Sequence, residues 1–447
     1  MSTQERYQGL PPTKFAEVRV GLLGLGTVGS GVAEILTRKR ADIEREIGLP
    51  IRLSRVLVRD VEKRRGFAVD PGLLTTNPDD ILANPAINMV VEVMGNEEPA
   101  GSYLKRAIEA GKQVVTANKE LVAKQGASLL ALAAAKNVDF HYEASVGGGI
   151  PLIGPFKQDL AANQLSSVKA IINGTTNYIL TRMADGEVEF AEALAEAQEL
   201  GYAEPDPAND VEGTDAVYKI AILSTLAFHT QVRPDQIYRE GITRLTARDF
   251  RYAREMGYTI KLLALAAEAG GEVEVRVHPT LLDSHALLAR VDGVYNAVQV
   301  EGDLVGKVMF TGRGAGPMPT ASAVIADVID IAQDVQREMG FITPVIHYDD
   351  KKRLKPMDEV CTRFFIRIEA LDEPGALAKI AQTLSQGQIS IASIVQKEVD
   401  DAARSAEIVL ITHTVTEGAV RQALDQLRQL SAVHSIGSVI RIEEEES

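Results

Sequence analysis

Hydrophobic positions along the chain fall into short runs separated by polar turns. Val18 to Leu23 is an apolar, β-branched run that ends in glycines, and Val28 to Leu36 follows with apolar residues at helical spacing. That combination predicts a strand, a tight turn and a helix. The alternation continues with strands expected at Ile51 to Val58, Ile87 to Met94, Gln113 to Thr116 and Val138 to Tyr142, and helices at Pro99 to Ala110 and Ala127 to Lys136. Strands alternating with helices imply a parallel sheet covered on both faces, an α/β architecture. From Pro151 the pattern changes to α+β. A strand is expected at Val168 to Ile172, longer helices at Phe190 to Leu200 and Asp210 to His229, and strands at Thr259 to Ala267, Val273 to His278 and Val294 to Val300. A long apolar-periodic helix, Gly316 to Met339, is expected to pack back on the first domain. Residues 342–360, with two prolines and several charges, read as a linker. The last stretch runs strand (Arg363 to Ala370), helix (Gly375 to Gln386), strands near Ile389 to Lys397 and Ala406 to Thr412, helix (Glu417 to Leu430) and strand (Val433 to Ile442). That βαββαβ order is a ferredoxin-like module.

Composition narrows the function classes. The chain has 447 residues, enough for about three average domains, with 45% hydrophobic and 24% charged residues, so a folded globular protein is expected. Forty-seven basic against 62 acidic residues leave a net charge of −15. Such a surface repels phosphate backbones, which argues against nucleic acid as a partner and makes any phosphate site local. The single cysteine, Cys361, excludes an internal disulfide framework and a multi-Cys zinc site. No apolar run reaches the ~20 residues of a membrane helix, and Met1 to Glu17 is too polar for a secretory signal. No membrane association and a cytoplasmic location are the expectation.

Gly24-Leu25-Gly26-Thr27-Val28-Gly29 follows the first predicted strand and opens the first predicted helix. This is the setting in which GxGxxG marks a Rossmann-type dinucleotide site: the glycines allow the tight turn, the approach of a pyrophosphate and close helix–strand packing. Unpaired N–H groups at the helix start receive the phosphates. The second strand ends in Val58-Arg59-Asp60, with Lys63, Arg64 and Arg65 close behind. An arginine at that tip pairs with a ribose 2′-phosphate, whereas a carboxylate binds the 2′-hydroxyl and repels the phosphate. Arg59 therefore favours NADP, while Asp60 keeps NAD open. Further along, Asp215 and Lys219 are four residues apart and share one helix face, followed by the apolar Ile220 to Leu223. A lysine in a partly buried pocket is suited to acid–base work. The alternative is an exposed ion pair contributing ~0.3–0.5 kcal/mol.

GLGTVGSGV, TANKE, YEASVGGGIP, INGTTNYIL, GYAEPDPANDVEGTDAVYKIAIL and GRGAGPMPTASAVIAD stand in the order and spacing of the homoserine dehydrogenase family. The chain resembles that family over residues 18–442, and its last domain resembles an ACT domain. The resemblance implies reversible NAD(P)H-dependent reduction of L-aspartate 4-semialdehyde to L-homoserine, on the route to threonine, methionine and isoleucine. It makes Lys219 the proton donor to the nascent alkoxide, with Asp215 orienting it. Glu204 would bind the substrate ammonium, with Asp210 a further substrate contact. Asn173-Gly174-Thr175-Thr176, at a helix start, would hold the substrate carboxylate; an ordinary helix cap is the alternative. Lys119 and Gly316 are implied at the cofactor. A monovalent metal ion, sodium by resemblance, is implied at the Glu143 side-chain region and the backbone of Val146, Gly148 and Ile150, in a structural role. Asp372, Gly375, Ala376 and Leu377 resemble the amino-acid-binding turn of ACT domains, implying feedback inhibition by L-threonine; a module that only promotes assembly is the alternative.

The resulting organisation is a polar extension (1–17), a Rossmann dinucleotide domain (18–150) completed by helix 316–340, an α+β catalytic and dimerisation domain (151–315), a linker (341–360) and an ACT domain (361–447). A homodimer or homotetramer is expected. Cys361 lies far from every catalytic motif, which argues against an acylating dehydrogenase that needs a thiolate. A non-enzymatic dinucleotide and amino-acid sensor is the rival class, and the set Glu204, Asp215 and Lys219 argues against it.

Overall fold

The computed structural model describes residues 17–65, 67–336, 348–349, 351–400 and 404–444. Within these, the chain divides into two compact units: one holds the residues up to Gln164 with Ala221–Asp235 and Gly302–Asp349, the other Leu165–Ile220, Gln236–Glu301 and the residues from 351 onward.

The first unit opens with β1 (Val18–Leu23), α1 (Thr27–Arg38), α2 (Arg40–Ile47), β2 (Ile51–Leu57), β3 (Leu74–Thr75), α3 (Asp79–Leu82), β4 (Met89–Glu92), α4 (Ala100–Glu109), β5 (Gln113–Thr116), α5 (Lys119–Lys136), β6 (Phe140–His141) and α6 (Ile153–Lys157). The strands pair in parallel in the order β3-β2-β1-β4-β5-β6. This is the doubly wound order of dinucleotide-binding sheets. Every residue of β4 and β5 is buried, as expected of strands covered on both faces. Helix α5 begins eight residues before the expected Ala127. Its alanine-rich sequence carries no clear apolar stripe to mark the start, which is set instead by Asn118, whose side chain accepts the Leu121 N–H at 3.1 Å.

The chain then forms β7 (Leu165–Ile171), α7 (Gly174–Gly186), α8 (Phe190–Glu199), α9 (Ala208–Val211), α10 (Thr214–Phe228), β8 (Tyr238–Arg239), α11 (Ala247–Glu255), β9 (Tyr258–Ala269), β10 (Glu272–Asp283) and β11 (Tyr295–Gly302). The single helix expected over Asp210 to His229 is two, because Gly213 at φ +81° breaks it. Strand β10 outruns the expected Val273 to His278, continuing past Pro279 in antiparallel register with β9. The first unit resumes with β12 (Gly306–Arg313), a strand the sequence pattern did not announce, and α12 (Pro317–Gln336). Ala321, Val324 and Val328 of α12 join Val32 and Leu36 of α1 in one core with Val20 and Leu22. The expected continuation of this helix to Met339, and residues 341–347 and 350 of the expected linker, lie outside the described residues. The rest of that segment is not free of structure: β13 (Arg353–Leu354) pairs in parallel with Glu272 and Val273 of β10.

The second unit ends with β14 (Cys361–Leu371), α13 (Ala376–Gln386), β15 (Ile391–Asp400), β16 (Ser405–Thr412), β17 (Val415–Thr416), α14 (Glu417–Leu427) and β18 (Val433–Glu443). Phe364, Ile366 and Ile368 of β14 and Ile408 and Leu410 of β16 pack against Ile380, Leu384, Val420 and Leu424 of the two helices. The module has this core of its own, yet its sheet continues the sheet before it, in the order β11-β7-β9-β10-β18-β14-β16-β15. The join is parallel pairing of Thr280–Leu282 with Arg441–Glu443. Opposite the helices, the sheet presents charge to α11. Arg367 donates to Asp249 at 2.9 Å and to Glu407 at 2.8 Å, Ser438 donates to Asp249 at 2.6 Å, and Arg248 and Tyr252 donate to Glu407. A second buried set joins Arg441 to Glu417 at 2.6 Å and to Glu240 at 2.9 Å.

Candidate active site

In the first unit, β1 ends at Leu23 and the chain turns through Gly24 at φ +103°. A Cβ on Gly29 would meet the Gly24 carbonyl oxygen at 2.2 Å, whereas one on Gly26 would meet nothing within 4 Å. Gly29 is thus required by packing and Gly26 presents bare backbone to a ligand. Helix α1 has no side-chain cap, so its first-turn N–H groups are available for phosphate, with Leu25, Thr27 and Val28 forming the turn and its first residues. A cleft of about 440 Å³ follows, lined by Gly24, Gly26, Arg59, Asp60, Lys63 and Arg65 among others. The Asp60 carboxylate accepts the Glu62 N–H at 2.8 Å, and its carbonyl accepts from Arg65 at 2.5 Å. Arg59 and Asp60 are both exposed, and Asp60 keeps one carboxylate oxygen on its own loop. The opposite wall, Met94, Pro99 and Tyr103, was not singled out from sequence. Its only signal was its position just after β4. Lys119 is the first residue of α5, beyond the carboxyl end of β5, and Gly316 immediately precedes α12.

The glycine-rich loop after β6 has a defined hydrogen-bond pattern. The Glu143 carboxylate accepts three N–H groups at the start of α6, from Leu152 at 2.5 Å, Ile153 at 2.9 Å and Gly154 at 2.7 Å. Burial raises its pKa and these donors oppose the rise. Two of these bonds fall on Oε1 and one on Oε2, so the side chain caps α6 while Oε2 keeps acceptor capacity beside the main-chain carbonyls of the loop. The Ile150 N–H closes a turn onto the Gly147 carbonyl at 2.9 Å.

In the second unit, Asp215 and Lys219 lie on α10 with 3% and 8% exposure. Lys219 Nζ donates to Asp215 at 2.6 Å and to the Ile172 carbonyl at 2.7 Å. The exposed-pair alternative is excluded: this is a buried, fixed ammonium. Asn173 caps α7, its Oδ1 accepting the Thr176 N–H at 2.8 Å, and its Nδ2 donates to Asp210 at 2.7 Å and Asp215 at 2.9 Å. Both amide hydrogens and the oxygen are committed to protein partners, so Asn173 orients Asp215 and Asp210 rather than offering its side chain to a ligand. Thr176 has its N–H taken, and Gly174 and Thr175 complete the first turn. Asp210 does not stand at a helix N-cap, since Pro207 does; it lies inside α9. Glu204 is exposed on a loop tethered to α7 by the Thr175 hydroxyl on the Tyr202 carbonyl at 2.7 Å. In the C-terminal module, Gly375 precedes the uncapped start of α13, Ala376 is buried, Leu377 is exposed, and Asp372 accepts from Gln396 at 3.3 Å.

The family model for homoserine dehydrogenase matches residues 151–329, that for the homoserine dehydrogenase NAD-binding domain residues 24–143, and that for the ACT domain residues 364–432. The homoserine dehydrogenase of Neisseria gonorrhoeae is 43% identical over 430 residues, covering 95% of this chain and 98% of that one. The chain belongs to the homoserine dehydrogenase family. The relative from Synechocystis is 44% identical over 95% of this chain and 99% of its own length. The solved homoserine dehydrogenase of Thiobacillus denitrificans superposes with a TM-score of 0.89 at 43% identity, covering 96% of this chain and 98% of that one. A hyperthermophilic archaeal homoserine dehydrogenase, solved in complex with NADPH, matches 71% of this chain and 98% of its own at a TM-score of 0.60 and 28% identity. The protein is thus an NAD(P)-dependent oxidoreductase acting on a CH–OH group, a homoserine dehydrogenase carrying an ACT domain. The sensor reading falls with that. Among the described residues no helix is long and apolar enough to cross a membrane.

Proposed function

We propose that Lys219 carries the proton of this reaction, that NADP is the preferred cofactor with NAD as a weaker substitute, and that L-threonine is the ACT-domain effector. The observation that carries the first point is the fixed, buried ammonium of Lys219, held by Asp215 and the Ile172 carbonyl. When bound, the nicotinamide supplies or accepts the hydride. As the aldehyde carbon of L-aspartate 4-semialdehyde is reduced, Lys219 Nζ gives its proton to the carbonyl oxygen, producing the hydroxyl of L-homoserine; in reverse it takes that proton back. Asp215, oriented by Asn173, keeps the ammonium aimed and stabilises its charged form. Glu204 binds the substrate ammonium, Asp210 is a further substrate contact, and the N–H groups of Gly174 and Thr175 bind its carboxylate.

NADP preference rests on Arg59, exposed at the tip of β2 beside an Asp60 already bonded to its loop. Lys119 and Gly316 complete the cofactor contacts. A sodium ion would be held at the Glu143 side chain and the main-chain oxygens of Val146, Gly148 and Ile150 and would stiffen the loop. The effector would sit at Asp372, Gly375, Ala376 and Leu377. The enzyme would work as a homodimer or homotetramer in the cytoplasm.

The test is initial-rate oxidation of L-homoserine with NADP⁺ or NAD⁺, titrated with L-threonine. Turnover favouring NADP⁺ and falling with threonine is expected. Turnover indifferent to threonine would remove the effector assignment, and equal use of both cofactors would remove the Arg59 argument.

A further inference from the structure

His141 ends β6, the edge strand of the parallel sheet, in register with Val115 of β5. Val115 packs in the core that α12 covers, so the imidazole stands on the side of the sheet where α12 lies. Asp327 and Asp330, three residues apart, share one face of that helix. One ligand atom from each of the three residues lies within 4.8 Å of the other two. His141 Nδ1 is 3.6 Å from Asp327 Oδ1, longer than a hydrogen bond. Two ligands of one cation, each about 2.1 Å from it, stand about 3.0–4.2 Å apart, so this pair already has the spacing of ligands around a shared ion. Asp330 is exposed, and a small rotation of its side chain brings its oxygen inside the same range.

Asp327 is 5% exposed. Its Oδ2 accepts the Glu143 N–H at 2.8 Å, which fixes the carboxylate, while its Oδ1 faces the imidazole without a hydrogen bond. Among the described residues no lysine or arginine forms an ion pair with Asp327 or Asp330, and the side chains of His141 and Asp330 have no hydrogen-bond partner. Lys157, whose charge is felt at Asp327, rests instead over the Tyr142 ring, 4.2 Å from its centroid. A buried carboxylate oxygen, a second carboxylate and an imidazole are thus turned on one another with no protein cation to offset them. Burial raises the Asp330 pKa, His141 pulls it down and the Asp327 carboxylate adds to the rise. Ligation does not require either carboxylate to be ionised beforehand, because a bound cation displaces the protons of its ligands.

One imidazole nitrogen and two carboxylate oxygens suit a first-row transition-metal ion, whereas Mg²⁺ and Ca²⁺ take oxygen ligands alone. We propose that His141, Asp327 and Asp330 bind a divalent transition-metal ion, which pins α12 to the edge strand β6. Zn²⁺ is the probe that matches this ligand set, with water completing its shell on the exposed side. The site shares no ligand with the loop assigned to sodium, and it stands whether or not that loop holds its ion.

The full chain, stripped of metal by a chelator and kept in constant excess sodium, should be titrated with Zn²⁺ by isothermal calorimetry and with Co²⁺ by visible absorption. Wild type, His141→Gln and Asp330→Asn are compared, with far-UV circular dichroism to show that each is folded. Asp330 is exposed, so its variant keeps the fold even if the strand variant does not. The wild type should bind Zn²⁺ at a single site and gain Tm with it, and Co²⁺ should develop ligand-field bands. Each folded variant should bind Zn²⁺ about tenfold or more weakly and lose the gain in Tm. Zn²⁺ should withstand an equal concentration of Mg²⁺; displacement by Mg²⁺ would overturn the transition-metal assignment. No Zn²⁺ binding by the wild type, or the same affinity in wild type and Asp330→Asn, would overturn the site itself.

Discussion

Replacing Arg367 by methionine tests whether the charged seam under the ACT sheet holds the module to α11. The substitution keeps the apolar stem and removes the guanidinium, taking one donor from Asp249 (2.9 Å) and one from Glu407 (2.8 Å), which are 0% and 6% exposed. Hydrogen bonds to charged groups are worth about 1.5–3 kcal/mol each, and breaking a buried ion pair from one side costs about 3–5 kcal/mol. Asp249 keeps Ser438 and Thr246, and Glu407 keeps Arg248 and Tyr252, so neither carboxylate is stranded and the lower end, about 3 kcal/mol, is expected. At about 2–4 °C per kcal/mol for a unit of this size, Tm should fall by about 6–12 °C. Differential scanning calorimetry reads this directly, and a shift under about 2 °C would refute the reasoning. Acid stability supplies a second reading. Burial pushes the Glu407 pKa up, but Tyr252, Arg248 and Arg367 outweigh it and hold it below its ordinary 4.5. A depressed folded pKa contributes stability above pH 4.5 that is lost as pH falls through the folded value. Arg367→Met should therefore bring acid unfolding to a higher pH than in the wild type.

Asp215→Asn leaves Lys219 without its counter-charge but keeps the shape of the pair, so kcat should fall about 10–100-fold, the cost of one charge-assisted bond, with the Kd for NADP⁺ unchanged in fluorescence titration. Arg59→Glu should lower kcat/KM with NADP⁺ by about 100-fold or more, replacing attraction to a 2′-phosphate by repulsion, and change the NAD⁺ value little; a parallel loss with both would show that Arg59 shapes the cleft generally.

Much of this molecule was legible in its pattern of residues. The parallel sheet followed from apolar runs such as Met89–Glu92 and Gln113–Thr116, because strands buried on both faces leave no alternation to misread. The βαββαβ order of the last module followed from its strict period changes. What the pattern could not show was long-range polar wiring. Asn173, 42 residues from Asp215, reads locally as a helix cap, and only the fold reveals that its amide orients two carboxylates. Nor does anything in the segment of Glu143 announce that its carboxylate caps α6, ten residues further on. The join between β10 and β18 spans about 160 residues, and so the last module read as separable. Removing residues 361–447 would uncover β10 and leave Asp249 and Glu240 without their arginines, so point variants at Asp372 or Leu377 are the sounder probes of regulation.

The central claim is that Lys219 carries the proton. Steady-state oxidation of L-homoserine by Lys219→Ala, paired with NADPH binding by fluorescence, tests it most directly. The account predicts a loss of kcat of about 10²–10⁴-fold with the NADPH Kd within about twofold of wild type. Turnover within tenfold of wild type, or loss of NADPH binding in proportion to the loss of activity, would contradict it.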